Sequence, residues 1–102
     1  MIYNFNTGGL NLKVRAHVVV SGRVQGVYFR GKTREKARKY GVTGWIRNLP
    51  DGSVEAVFEG EKDQVGKVIE FVKHGPSYAK VTDLKIQWQD YEDEFLDFRI
   101  IY

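Results

Sequence analysis

Residues 22–33, GRVQGVYFRGKT, hold two phosphate-binding arrangements written over one another. Counted from Gly26, the segment GVYFRGKT satisfies the nucleotide-binding P-loop pattern G-x-x-x-x-G-K-[ST], with Lys32 as the phosphate lysine and Thr33 in the magnesium position. Counted from Gly22, the same stretch is a loop that ends on a single arginine, Arg30. Arginine offers a planar fork of donors that matches phosphate oxygens, and Gly26 can adopt backbone angles that turn successive N–H groups inward as an anion-binding nest.

Which arrangement operates depends on the elements around it. Upstream, Val14, Ala16, Val18 and Val20 alternate with Lys13, Arg15, His17 and Ser21, the period of two that marks a half-buried strand. His17 falls on the polar side of that strand and reads as a sheet-face histidine. Downstream, Phe29, Thr33, Ala37 and Tyr40 recur at helical spacing and Gly41 stops the run, so a first helix begins before Gly31. Segments 42–48 and 53–59 read as two strands joined by L-P-D-G, whose Pro50 and Asp51-Gly52 supply turn chemistry. Val65, Val68, Ile69 and Val72 form the apolar stripe of a second helix, ended by His74-Gly75-Pro76. His74 there serves the helix dipole. Leu84, Ile86 and Trp88 alternate in a fourth strand, and Leu96, Phe98, Ile100 and Tyr102 in a fifth segment.

The order strand, helix, strand, strand, helix, strand is that of an α+β ferredoxin-like sandwich (β-α-β-β-α-β). The expectation is a mostly antiparallel sheet with both helices on one face and an extra C-terminal strand. Residues 1–12 show no period and are expected to be a flexible tail, leaving 13–102 as one domain. This order argues against the P-loop. A P-loop needs a small-residue arch, a second parallel strand and an aspartate for the metal, whereas this chain has Val27, Tyr28, Phe29 and Arg30 in the arch and a hairpin where the parallel strand would be. With the helix starting near Phe29, Arg30 lies in its first turn, where unpaired N–H groups and the positive dipole end favour an anion. Spacing alone does not separate such an arginine from a surface charge.

Composition narrows the classes further. Hydrophobic residues make up 42% and charged residues 28% of the 102, the balance of a folded globular domain, with no apolar run near the length of a membrane span. The absence of cysteine excludes disulfides, thiolate metal sites and a cysteine nucleophile. Residues 1–14 lack a secretory pattern, which makes the cytoplasm the expected location. The net charge is only +3, but residues 23–39 carry seven cations against Glu35 alone, while 83–97 carry six carboxylates against Lys85. A positive field around the loop favours an anionic ligand, although the charges beyond Arg30 read more simply as a solvated helix face.

VSGRVQGVYFR (20–30) and GWIRNLPDGSV (44–54), with Gly60 beyond, resemble the two signatures of the acylphosphatase family, and GPSYAKV (75–81) resembles its segment after the second helix. The likeness spans about residues 14–102; the departure noticed is Ile46, where Val or Ala is usual. The resemblance implies metal-independent hydrolysis of the carboxyl–phosphate bond of acyl phosphates by direct attack of water, with no cofactor. It implies that Arg30 and the main-chain N–H groups of Gln25, Gly26, Val27, Tyr28, Phe29 and Arg30 hold the phosphoryl oxygens, and that Asn48 orients the water. On residues alone, Asn48 reads as a turn residue capping N-L-P-D-G.

Such a site can operate without a general acid, because the leaving carboxylate has a conjugate acid of pKa about 4. The expected partner is therefore a small-molecule acyl phosphate, acted on by a monomer, with no nucleic acid and no membrane. The alternative of an RNA-binding sheet would recruit Trp45, Phe58 and Trp88, but the dense aromatic and basic cluster of such sheets is missing and core or sheet-face packing is expected of all three. A domain of the kind fused to hydrogenase maturation carbamoyltransferases is a related alternative; the chain's end at Tyr102 favours the free-standing enzyme.

Overall fold

The computed structural model describes residues 12–102; the expected tail at 1–12 lies, but for Leu12, outside the described residues. Five strands, β1 (Lys13–Arg23), β2 (Thr43–Asn48), β3 (Val54–Glu61), β4 (Lys80–Gln89) and β5 (Phe98–Ile100), form one sheet in the order β4-β1-β3-β2-β5. Two helices, α1 (Phe29–Lys39) and α2 (Lys62–His74), connect them in the expected ferredoxin-like sequence. β1 pairs antiparallel with β3 and β4, and β2 with β3, while β5 runs parallel to β2 at the edge.

The alternation in the sequence becomes the two faces of this sheet. The register places Ala16 opposite Phe58, Val18 opposite Ala56 and Ile46 beside Ala56, and all of these side chains enter one core with Val65, Val68, Ile69 and Val72 of α2 and Phe29 and Ala37 of α1. Burial of each of these larger side chains contributes about 1.5–3 kcal/mol. Phe58 and Phe98 stack at 5.5 Å between ring centroids. α1 stops where Gly41, at φ 69, lets Val42 donate to the Ala37 carbonyl (2.8 Å) and Gly41 to that of Arg38 (3.3 Å), closing the helix with a left-handed glycine cap.

The C-terminal segment departs from its alternation. Of Leu96, Phe98, Ile100 and Tyr102, only the stretch Phe98–Ile100 pairs, and Leu96 and Tyr102 are exposed. The cause is topological. β4 and β5 are opposite edges of the sheet, so residues 90–97 have to cross it, and they do so over the face that carries no helix. There the fully buried Glu59 carboxylate accepts the main-chain N–H groups of Glu92 (2.7 Å) and Glu94 (3.0 Å) and pairs with Arg15 at 3.2 Å. Arg38 adds a two-pronged pair with Asp97 (3.2 and 2.9 Å), so part of the acidic segment neutralises part of the basic one.

The three aromatics of the RNA alternative do not form a platform. Phe58 is core, Trp45 lies on the sheet face under the Arg47 guanidinium, and Trp88 is exposed on the edge strand β4. His17 is a sheet-face residue as expected, its Nε2 donating to Glu55 at 2.7 Å, and His74 sits at the end of α2, 3.6 Å from Glu70. No helix among the described residues is long and apolar enough to cross a membrane.

Candidate active site

The loop between β1 and α1 is shaped by its first half. β1 shifts register against β4 between Ser21 and Gly22, and Gly22 (φ 120) lies so close to β4 that a Cβ would collide with the Lys80 carbonyl oxygen. The chain then dips into the core at Val24 and Val27, which are buried, and turns back through left-handed backbone at Gly26 (φ 73) and Tyr28 (φ 65). Open space surrounds Gly26, so conformation and not crowding selects glycine there. Left-handed residues alternating with right-handed ones bring consecutive N–H groups to a common concave side. Tyr28 adopts this conformation at a cost of about 1 kcal/mol or more for a side chain of its size.

Tyr28 is the N-cap of α1: its carbonyl accepts the Lys32 N–H at 3.0 Å, and no side chain caps the helix. The first turn contains no acidic residue. Among the described residues, no hydrogen bond made outside the helices and strands is donated by a main-chain N–H of residues 26–31. Main-chain donors that reach side chains belong instead to Ser53, Glu92 and Glu94. A row of unpaired donors at the positive end of a helix dipole attracts an anion.

The opposite wall comes from the β2–β3 hairpin. Its turn is locked by Leu49 N–H to the Ser53 carbonyl (2.8 Å), Gly52 N–H to the Leu49 carbonyl (3.1 Å), and the Asp51 carboxylate, which accepts from the Ser53 N–H (3.0 Å) and hydroxyl (2.5 Å). These bonds from Ser53 hold the Asp51 carboxyl below its ordinary range. Gln25 joins the two walls, since its Nε2 donates to both the Leu49 (2.8 Å) and Ser53 (2.9 Å) carbonyls. Asn48, the last residue of β2, stands at the base of this locked turn, and its Oδ1 is buried without a hydrogen-bond partner among the described residues.

Between the walls is a cavity of about 350 Å³ lined by Val24, Gly26, Tyr28, Phe29, Arg30, Gly31, Asn48 and Ile100. Arg30 and Asn48, eighteen positions apart in the chain, therefore share one site. Of the six loop residues expected to hold phosphate, Gly26, Tyr28, Phe29 and Arg30 line it. Gln25 and Val27 do not: the first turns its side chain to the hairpin and the second packs in the core, leaving each with its main-chain N–H alone for the loop.

The P-loop arrangement is not built. Lys32 is exposed on α1 with its Nζ 3.8 Å from Glu35, and Thr33 is buried on the core face of the helix. Two features are missed from sequence. The ring of Tyr102 stands 5.3 Å from the Arg30 guanidinium carbon, and Ile100 closes the cavity from β5. The alternating pattern had assigned both to a strand, and nothing local to them points to the loop.

The acylphosphatase family profile matches residues 16–100. An acylphosphatase from Pelotomaculum thermopropionicum is 53% identical over 90 residues, 88% of this chain and 98% of its own. Among solved structures, an acylphosphatase from Bacillus subtilis superposes with a TM-score of 0.84 at 35% identity, covering 87% of this chain and 99% of that one. One from Coxiella burnetii gives 0.83 at 40%, covering 89% and 94%. With these relatives beside an uncapped helix start that faces a locked hairpin, the chain belongs to the acylphosphatase family.

Proposed function

We propose that this acylphosphatase cleaves its substrate by direct attack of water, without metal or cofactor, with Arg30 and the loop from Gln25 to Arg30 holding the phosphoryl group and Asn48 placing the water. The carrying observation is that Asn48, whose Oδ1 is buried without a partner among the described residues, lines the same cavity as Arg30 and the start of α1. Buried polar atoms are nearly always paired, and an orphan beside a phosphate cradle is an acceptor for a water proton. The lining residues include no carboxylate, imidazole or thiol. Charge stabilisation then falls to Arg30, the N–H groups and the dipole of α1, which suits a transition state with little bonding to the nucleophile. Asn48 cannot take the proton, so the proton passes to a phosphoryl oxygen as water attacks phosphorus and the P–O bond to the carboxylate breaks. The cavity is built by one chain, which supports action as a monomer on a small acyl phosphate.

Hydrolysis of benzoyl phosphate in the presence of a chelator tests the scheme. Arg30→Ala and Arg30→Lys should lose on the order of 10² to 10³ in kcat/KM or more, with phosphate inhibition weakened as well. Asn48→Ala should lower kcat far more than it weakens phosphate inhibition, whereas Lys32→Ala should be nearly silent. Abolition by the chelator, or retained turnover in Arg30→Lys, would refute the scheme.

A further inference from the structure

We propose that Tyr28 is a specificity residue, its ring providing a platform for the acyl group and selecting aryl acyl phosphates over acetyl phosphate. The inference rests on the assignment of residues 25–30 as the phosphoryl cradle. The cradle needs from residue 28 a main-chain N–H in left-handed backbone, which glycine would supply without strain. The core needs nothing from it, because 77% of Tyr28 is exposed while its neighbours Val27 and Phe29 are buried. A large aromatic is thus held in an unfavourable conformation (φ 65) on the wall of the cavity with neither the phosphate nor the packing requiring its ring.

The cavity has room for more than the phosphoryl group. Its 350 Å³ lies within the range of small-molecule pockets, while a phosphoryl group is only one phosphorus and its three oxygens. The donors account for one side of the lining, and the rest is Val24, Tyr28, Phe29 and Ile100. Val24 and Phe29 are closed into the core, so among the lining aromatics Tyr28 alone offers an exposed ring. Arg30, which grips the phosphoryl oxygens, also lies against the ring of Tyr102 (5.3 Å), extending the aromatic character of the rim on the side of the arginine. A flat, apolar acyl group stacks on such a surface; an acetyl group is too small to.

The test is a comparison of kcat/KM for benzoyl phosphate and acetyl phosphate in the parent enzyme, Tyr28→Phe and Tyr28→Gly, with inorganic phosphate inhibition measured in each. Dividing each variant's benzoyl-to-acetyl ratio by the parent's removes the intrinsic reactivity of the two mixed anhydrides. The ratio should fall about fivefold in Tyr28→Gly, the loss of one stacking contact, and persist in Tyr28→Phe. Tyr28→Gly relieves the left-handed strain, so the glycine variant is expected to fold. An unchanged ratio in Tyr28→Gly overturns the proposal, as does a loss shared equally by both substrates with weakened phosphate inhibition, which would make Tyr28 a prop for the loop. If phosphate does not inhibit the parent enzyme, the cradle assignment itself fails and the proposal falls with it.

Discussion

Gln25 is the joint between the two halves of the site, and replacing it with alanine should separate them. Its Nε2 donates at 2.8 and 2.9 Å to the carbonyls of Leu49 and Ser53, the first and last residues of the hairpin turn. A partly buried hydrogen bond contributes about 1 kcal/mol net, so loss of both should destabilise the protein by about 2 kcal/mol. In a domain of this size that lowers Tm by about 8–16 °C. Functionally, the loop would no longer be held against the hairpin that carries Asn48. Turnover of benzoyl phosphate and inhibition by inorganic phosphate should therefore both suffer at a temperature where the variant is folded. Gln25→Glu should be at least as damaging at neutral pH, because an ionised carboxylate would face two carbonyl oxygens. Calorimetry and steady-state kinetics on the same preparations provide the check. A Tm within 2 °C of the parent together with unchanged kinetics would refute the idea that this side chain couples the walls.

Two further outcomes concern the face of the sheet without helices. Glu59→Ala would leave Arg15 with Glu94 (2.7 Å) but would remove the acceptor of two main-chain N–H groups of the crossing segment, and should cost about 2–3 kcal/mol in urea unfolding; a loss under 1 kcal/mol would show that the strap is held otherwise. Glu55 is pushed up by partial burial but pulled down further by His17 and Arg47, for a net carboxyl below its ordinary 4.5. Its folded form therefore binds protons less readily than the unfolded one, and the stability it contributes is complete above pH 4.5 and lost as pH falls below it. Unfolding free energies measured across acid pH should fall less steeply in Glu55→Gln than in the parent, and equal slopes would contradict the assignment. Asp51 and Asp97, also lowered, keep the slope from vanishing.

The local physics of this chain is legible in its letters. Alternation along 13–21, the stripe at Val65, Val68, Ile69 and Val72, and the glycines at 41 and 75 place strands, helices and stops, because each depends on side-chain period or backbone freedom within a few residues. The opening motif marks a candidate phosphate loop, and the place where the helix has to begin argues against Lys32, whereas Arg30 is set apart from a surface charge only by the family resemblance. What tertiary structure decided are relations between distant positions. Leu96 and Tyr102 alternate correctly with Phe98 and Ile100 yet stay exposed, because β5 must reach the far edge of the sheet and pairs over three residues. The two hydrogen bonds from Gln25 to the hairpin, the stacking of Tyr102 on Arg30 and the burial of Glu59 beneath residues 92–94 join residues 24 to 72 positions apart. No period or composition encodes such contacts; they exist only once the sheet order has brought its edges, its loop and its hairpin together. Asn48 shows both sides of the division: its letters alone read as a turn cap, and the fold leaves its oxygen buried and unpaired in a residue that lines the same cavity as Arg30.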